Sequence, residues 1–326
     1  MTMFFRAYLF AYLFWLEIPL GCFAFLMMHN LTEGKWGYAI RDYMEAGART
    51  LIPTAILFLP VLLGMHELYP WVQSPPEGEK KLYLNMVFFV LRAAIYFGTW
   101  IWFLHRLDSK PKTLSGPGLL VLGFTASFAS FDWLMSLEPR WYSTVFGMIF
   151  LVAQGLGALS FCLLVSFYLR KSGVDKKEVA PKTLNDLGNI LLAVLMVWAY
   201  TSFIQYLIIW SGNLPQESTW FVHRSQNGWQ WVALALVVFQ FAAPFFALFF
   251  RSVSRDAVRL SAVAALALVF RFVDLAWLIF PSFSKNSQWQ PVSCLLLVFG
   301  IGAIWLFFFF RQLSLRMNRR PNATSA

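Results

Sequence analysis

Long, unbroken apolar runs decide what this chain can fold into. There are nine of them, near residues 4–28, 49–66, 82–105, 117–137, 143–169, 187–210, 229–250, 257–280 and 291–310, bounded by charges, Pro and Gly. Each is close to the ~20 residues that a helix needs to cross the hydrocarbon core of a bilayer. Hydrophobic residues make up 59% of the 326 and charged residues only 13%, against roughly 45–50% and about 25% in soluble domains. That much apolar surface cannot be hidden inside a water-soluble core of this size. The 35 Phe and 15 Trp exclude a disordered chain. Transmembrane β-strands would be short and alternating, not long and continuous. The sequence therefore predicts an all-α integral membrane protein of about nine transmembrane helices. Its expected organisation is a single polytopic domain over 1–310 and a basic tail over 311–326.

The formal charge of +10 follows from where Lys and Arg sit, without any nucleic-acid partner. Eighteen of the 26 fall on one side: the first, third, fifth and seventh loops and the C-terminus. The other side holds Arg6, Lys80, Lys81, Arg140, Arg224 and Lys285, and Arg92 and Arg271 lie inside spans. Basic loops stay in the cytoplasm, so the C-terminus is expected there and the N-terminus outside. The first run is too long for a signal-peptide core and lacks a small-x-small cleavage site, so it reads as a retained helix. Cys22, Cys162 and Cys294 each stand alone in apolar runs, without the spacing of a metal or haem motif, and read as structural thiols.

A faint repeat divides the chain. Leu20–Phe25 (LGCFAF) in the first span resembles Leu156–Phe161 (LGALSF) in the fifth. Asp132 lies seven residues before Pro139 in the fourth span, as Asp274 does before Pro281 in the eighth. Both offsets equal about four helices, which preserves direction. The expectation is two four-helix bundles in a parallel repeat, spans 1–4 and 5–8, with the ninth helix peripheral.

Ionisable residues inside spans carry the chemistry, because an unpaired charge at mid-membrane costs at least about 2.5 kcal/mol on insertion scales. Five qualify: Glu17, Arg92, Asp132, Arg271 and Asp274. At 1.5 Å per residue they fall in one layer at or just outside the midplane, which predicts an internal polar cluster. Arg271 and Asp274 are i,i+3 and can pair on one helix face. Glu17 and Asp132 have only uncharged helical neighbours, so their partners must come from other helices. Three acids face two arginines, leaving one carboxyl either protonated or hydrated in a cavity. That surplus is what a proton path needs, and static helix–helix glue is the competing reading. With Asp274 held by Arg271, Glu17 and Asp132 read as the better proton carriers. His29, His66, His105 and His223 sit at span ends or in loops. His66, Glu67 and Glu138 are candidates for a proton-exchanging outer mouth or for a quinone head group in an aromatic, partly polar cleft. Tyr69, Trp71, Trp141, Tyr142, Trp210, Trp220 and Trp229 cluster at span ends as an interfacial belt does. No nucleotide-binding, zinc-protease or nucleophile-elbow motif is present.

Several stretches carry a family likeness: Gly47–Leu51 (GARTL), Leu68–Trp71 (LYPW), Ser130–Thr144 (SFDWLMSLEPRWYST), Trp198–Tyr200 (WAY) with Trp210–Pro215 (WSGNLP), and Arg271–Leu275 (RFVDL). Together they resemble the second quinone-binding-type membrane subunit of alternative complex III, a bacterial quinol:cytochrome c oxidoreductase, within the polysulfide reductase membrane-subunit (NrfD-like) family. The resemblance covers essentially the whole chain. It implies two four-helix bundles with peripheral helices, and no haem, metal or cluster bound by this subunit. Implied partners are a sister NrfD-like membrane subunit, an iron–sulfur subunit and c-type cytochrome subunits, which hold the iron–sulfur clusters and haem c. The subunit would not be catalytic alone. Its implied role is respiratory electron transport as scaffold and proton half-channel in the bacterial inner membrane, with quinone binding carried by fold analogy. Family members usually have one more helix at the N-terminus, and an outside N-terminus agrees with its loss.

The rival reading is a secondary transporter with buried ion-coupling carboxylates, which would also explain the repeat. The charge asymmetry itself is testable. Cysteines placed in Ser172–Lys182 should be protected from an impermeant thiol reagent on outer-membrane-permeabilised cells, and cysteines in Gln216–Gln226 should react. The reverse labelling would overturn the orientation and the helix count behind it.

Overall fold

A computed structural model describes residues 2–283 and 291–318. Lys285 of the charge count, and Arg319 and Arg320 of the basic tail, lie outside the described residues. Within them the chain is helical, with no strand. Among the described residues nine helices are long and apolar enough to cross a membrane: α1 Thr2–Thr32, α2 Lys35–Leu63, α3 Met86–Leu107, α4 Pro111–Leu137, α5 Phe146–Lys171, α6 Pro181–Gly212, α7 Trp229–Phe249, α8 Ala257–Phe283 and α9 Ser293–Met317. The protein is an all-α, multi-pass membrane protein. Large apolar side chains such as Leu63, Phe124, Phe249 and Phe299 point outward, where lipid rather than water suits them.

A helix that is apolar all round belongs in the interior. α1 is such a helix, and it is the hub, packing against α2, α4, α5 and α9. α5 holds the equivalent place in the second half, against α6 and α8. Helix pairs recur at the four-helix offset: α1 with α4 as α5 with α8, α2 with α3 as α6 with α7, and α3 with α4 as α7 with α8. α9 has no counterpart and seats on α1 and α2, burying Trp305 and Phe309 completely.

The two hubs meet through reciprocal glycines. A Cβ added at Gly21 of α1 would overlap the Gln154 carbonyl oxygen and Ala158 Cβ of α5, and one at Gly157 of α5 would overlap the Glu17 carboxyl of α1. Gly21 and Gly157 occupy matching positions in the repeated sequence, so each half supplies the gap that the other fills. Close backbone approach is the usual basis of helix association in lipid, where no hydrophobic drive separates helix from solvent.

Two local features depart from the sequence expectation. α2 begins at Lys35, not near 49. The segment that reads as a charged loop is the amphipathic first half of the helix, where Arg41 and Glu45 pair at i,i+4, 2.7 Å apart. In α7 the backbone winds as a π-helix over Leu236–Ala242. Pro244 has no N–H to offer the Gln240 carbonyl four residues earlier, which removes one α-helical bond there.

Gly21→Ala and Gly157→Ala should each destabilise the detergent-solubilised protein by about 1–3 kcal/mol, the usual cost of overpacking. Gly98→Ala and Gly123→Ala, where a new Cβ meets nothing within 4 Å, should leave thermal unfolding unchanged. Equal melting of all four variants would contradict the α1–α5 contact.

Candidate functional site

The second half of the repeat holds a buried ionic triad. Arg271 on α8 donates through Nη2 to Glu17 Oε2 at 2.9 Å and through Nη1 to Asp274 Oδ2. All three are within 4% of complete burial. Glu17 comes from α1 of the other half, lying against Gly157 because only glycine leaves room for its carboxyl. Trp198 of α6 and Gln240 of α7 stand beside Asp274, but their side-chain nitrogens make no hydrogen bond of standard geometry. Glu17 Oε1 and Arg271 Nε are likewise buried without a partner. Four helices thus bring two carboxyls, one guanidinium and a set of unused polar atoms to one place. Two acids against one arginine leave one negative charge too many if both acids are ionised. Uncompensated buried charge is strongly unfavourable, and one proton balances the triad.

The first half holds a closed counterpart. Asp132, fully buried, accepts from Arg92 Nε at 2.8 Å and Nη2 at 2.7 Å, and from the Tyr96 hydroxyl at 2.8 Å. Arg92 also lies 3.9 Å over the Tyr83 ring and donates to the Tyr83 carbonyl at 3.0 Å. A fork of this kind is among the strongest ionic hydrogen bonds, and its charges balance. The five residues of the expected single cluster therefore form two sets whose ion pairs share no residue. Asp132, expected with Glu17 among the better proton carriers, is paired with Arg92 and Tyr96, and the acid in excess of base lies in the set of Glu17 and Asp274.

A third ionic site lies at the α4–α5 turn. Glu138 Oε1 accepts from Arg224 Nη1 at 2.9 Å and from the Ser282 hydroxyl at 2.7 Å, with His223 Nδ1 3.5 Å from Oε2. Arg224 ends the connecting helix Pro215–Arg224 and is only 2% exposed. It also donates to the carbonyls of Trp277 and Leu278 and sits 3.7 Å over the Trp220 ring. Burial pushes its guanidinium down to about 10 and Glu138 acts against that, so it stays charged at neutral pH. Sequence reasoning counted Arg224 as a loop charge. The available signal was Trp220 four residues earlier, which places ring and guanidinium on one helix face. His66 is exposed, its backbone carbonyl accepting from Gln73, and Glu67 accepts from the Thr2 hydroxyl. Among the described residues neither bonds to Glu138.

Between α6, the connecting helix, α7 and α8 lies a cleft of about 990 Å³. Its walls carry aromatic rings, including Tyr200, Phe203, Tyr206 and Phe241, with Trp198 and Arg224 also in the lining. One wall therefore belongs to the residue beside Asp274 and another to the partner of Glu138. Two further placements were not legible beforehand. Cys22 and Cys162, each alone in sequence, bring their Sγ atoms to 3.6 Å across the α1–α5 contact. His29, expected at an interface, is buried against the Trp36 and Tyr38 rings, whereas His105 is exposed and contacts the Ile101 carbonyl at 2.8 Å. Neither protein-family models nor the curated proteins give a match to this chain.

Proposed function

We propose that this chain is an integral-membrane subunit of a bacterial respiratory quinol:cytochrome c oxidoreductase of the NrfD-like type, serving as scaffold and proton half-channel. The observation that carries the proton role is the Glu17–Arg271–Asp274 triad. It has one acid more than it has bases, and Trp198 and Gln240 stand beside Asp274. A proton resident on either carboxyl can pass to the other beside the shared guanidinium; the neighbouring amide and indole N–H groups orient the carboxyls but carry no proton, so water completes the route. The respiratory assignment rests on the sequence resemblance, whose most specific stretch, Ser130–Thr144, contains both Asp132 and Glu138. Electrons would run through iron–sulfur and c-haem partner subunits, and the membrane would be the bacterial inner membrane with the basic side in the cytoplasm.

A second reading, quinol binding by this subunit, is favoured by the aromatic cleft and by its contact with Trp198. In that reading the Trp198 ring forms part of the head-group wall and stands between the cleft and Asp274. The transporter reading predicts a colourless protein that purifies alone. The respiratory reading predicts copurification with haem c and iron–sulfur absorbance.

The proton role is tested by the proton-to-electron ratio of the reconstituted complex. Glu17→Gln and Asp274→Asn should each lower that ratio while electron transfer continues. Asp132→Asn should leave the ratio unchanged and weaken the protein instead, by stranding Arg92, at a cost of about 3–5 kcal/mol typical of a broken buried pair. An unchanged ratio in both triad variants would make the triad structural glue.

A further inference from the structure

The contact between α1 and α5 brings two thiols together as well as two backbones. Cys22 of α1 and Cys162 of α5 are both fully buried, and their Sγ atoms lie 3.6 Å apart. Neighbouring positions explain the approach. Gly21 stands against Ala158, one helical turn before Cys162, and a Cβ at Gly21 would overlap the Ala158 Cβ. The two helices are therefore drawn together beside the cysteines. Gly47 of α2 leaves the room that the Cys22 thiol fills, since a Cβ there would fall 2.6 Å from its Sγ. A buried cysteine alone acts as a small apolar side chain. Two of them in contact across helices have a further chemistry open to them. An S–S bond is about 2.05 Å long, so closing it needs the sulfurs to approach by about 1.5 Å, shared between two side chains.

We infer that Cys22 and Cys162 form an oxidisable dithiol, a modification site whose disulfide staples the first half of the protein to the second. The oxidant is a hydroperoxide, of which hydrogen peroxide is the smallest. It is neutral and close to water in size, so it enters an apolar interior that charged reagents do not. One thiol sulfur attacks a peroxide oxygen. The O–O bond breaks, an S–O bond forms, and the thiol proton leaves with the departing oxygen as water. The other thiol sulfur then attacks the sulfenic sulfur, forming the S–S bond, breaking the S–O bond and releasing a second water. Two thiols and one peroxide thus give one disulfide and two waters, and the two electrons pass from sulfur to peroxide oxygen. The first step is slow, because a thiol away from water keeps its proton. The second is fast, because its partner is already in contact, so the sulfenic acid is captured before it oxidises further. The bond joins residues 140 apart in sequence, a long closed loop that constrains the unfolded chain strongly.

The test treats the full chain in its own membranes with excess hydrogen peroxide over a time course and removes the excess with catalase. The protein is then unfolded in an alkylating reagent, and its cysteine peptides are read by mass spectrometry with and without reduction. The peptides of Cys22 and Cys162 should be recovered as one disulfide-linked species that grows with time and disappears on reduction. Cys294 should stay free and alkylated. It lies on α9 fifteen residues before Phe309, which stands with Cys22 against Gly47, so the helix rise alone sets it about 22 Å away along the bundle. The oxidised protein should also unfold at a higher temperature, and dithiothreitol should remove that rise. Cys22→Ser and Cys162→Ser should each lose both the link and the rise, and the wild-type thiol count stands without either variant. Survival of all three thiols in excess peroxide would overturn the proposal. So would oxidation of Cys22 or Cys162 to sulfinic or sulfonic acid without a link between them.

Discussion

Arg271 is the residue on which the interior of this protein depends. It is buried, it cannot lose its charge, and it holds one carboxyl from its own helix and one from α1. Removing a guanidinium from such a site leaves two carboxyls facing each other in a medium that stabilises neither ionised form. Because Glu17 crosses from the first half of the repeat to the second, the same contact ties the two bundles together. It requires Gly157, since any side chain there would occupy the space of the Glu17 carboxyl. Packing and electrostatics are therefore one constraint at the α1–α5 contact: the glycine lets the acid in, and the acid finds its base on α8.

The two halves use a related aspartate differently. Asp132 is closed off by Arg92 and Tyr96, with its charge balanced inside its own bundle. Asp274 shares its arginine with a second acid and stands beside Gln240, at the point where α7 leaves α-helical geometry ahead of Pro244. π-Helical turns are frequent at functional sites. Here the widened turn carries a fully buried amide, Gln240, that stands beside Asp274 without a hydrogen bond of standard geometry. The first bundle thus holds a balanced ion pair, and the second holds one acid in excess of its arginine.

Much of this was legible in the sequence, because a bilayer restricts what an apolar run can become. Helix number and the identity of the buried charges followed from run length and from the cost of burying Glu17, Arg92, Asp132, Arg271 and Asp274. Pairing did not follow. Periodicity shows that Arg271 and Asp274 share a helix face, but only tertiary packing shows that Glu17 joins them and that Arg92 turns to Asp132. The start of α2 is not legible because Arg41, Asp42 and Glu45 resemble a loop until the Arg41–Glu45 pairing at i,i+4 is seen. Arg224 was missed for a related reason: a charge flanked by polar residues reads as exposed, whereas the Trp220 ring, two backbone carbonyls and Glu138 enclose it.

The central claim is that Glu17 and Asp274 together hold one proton at neutral pH. Infrared absorption tests it most directly, since a buried protonated carboxyl has a C=O stretch separate from the carboxylate bands and sensitive to deuterium exchange. The wild-type protein should show such a band. Glu17→Gln and Asp274→Asn should each abolish it, because either change leaves one acid facing one arginine, while Asp132→Asn should retain it. A wild-type spectrum without the band, or a band that survives in both triad variants, would contradict the account.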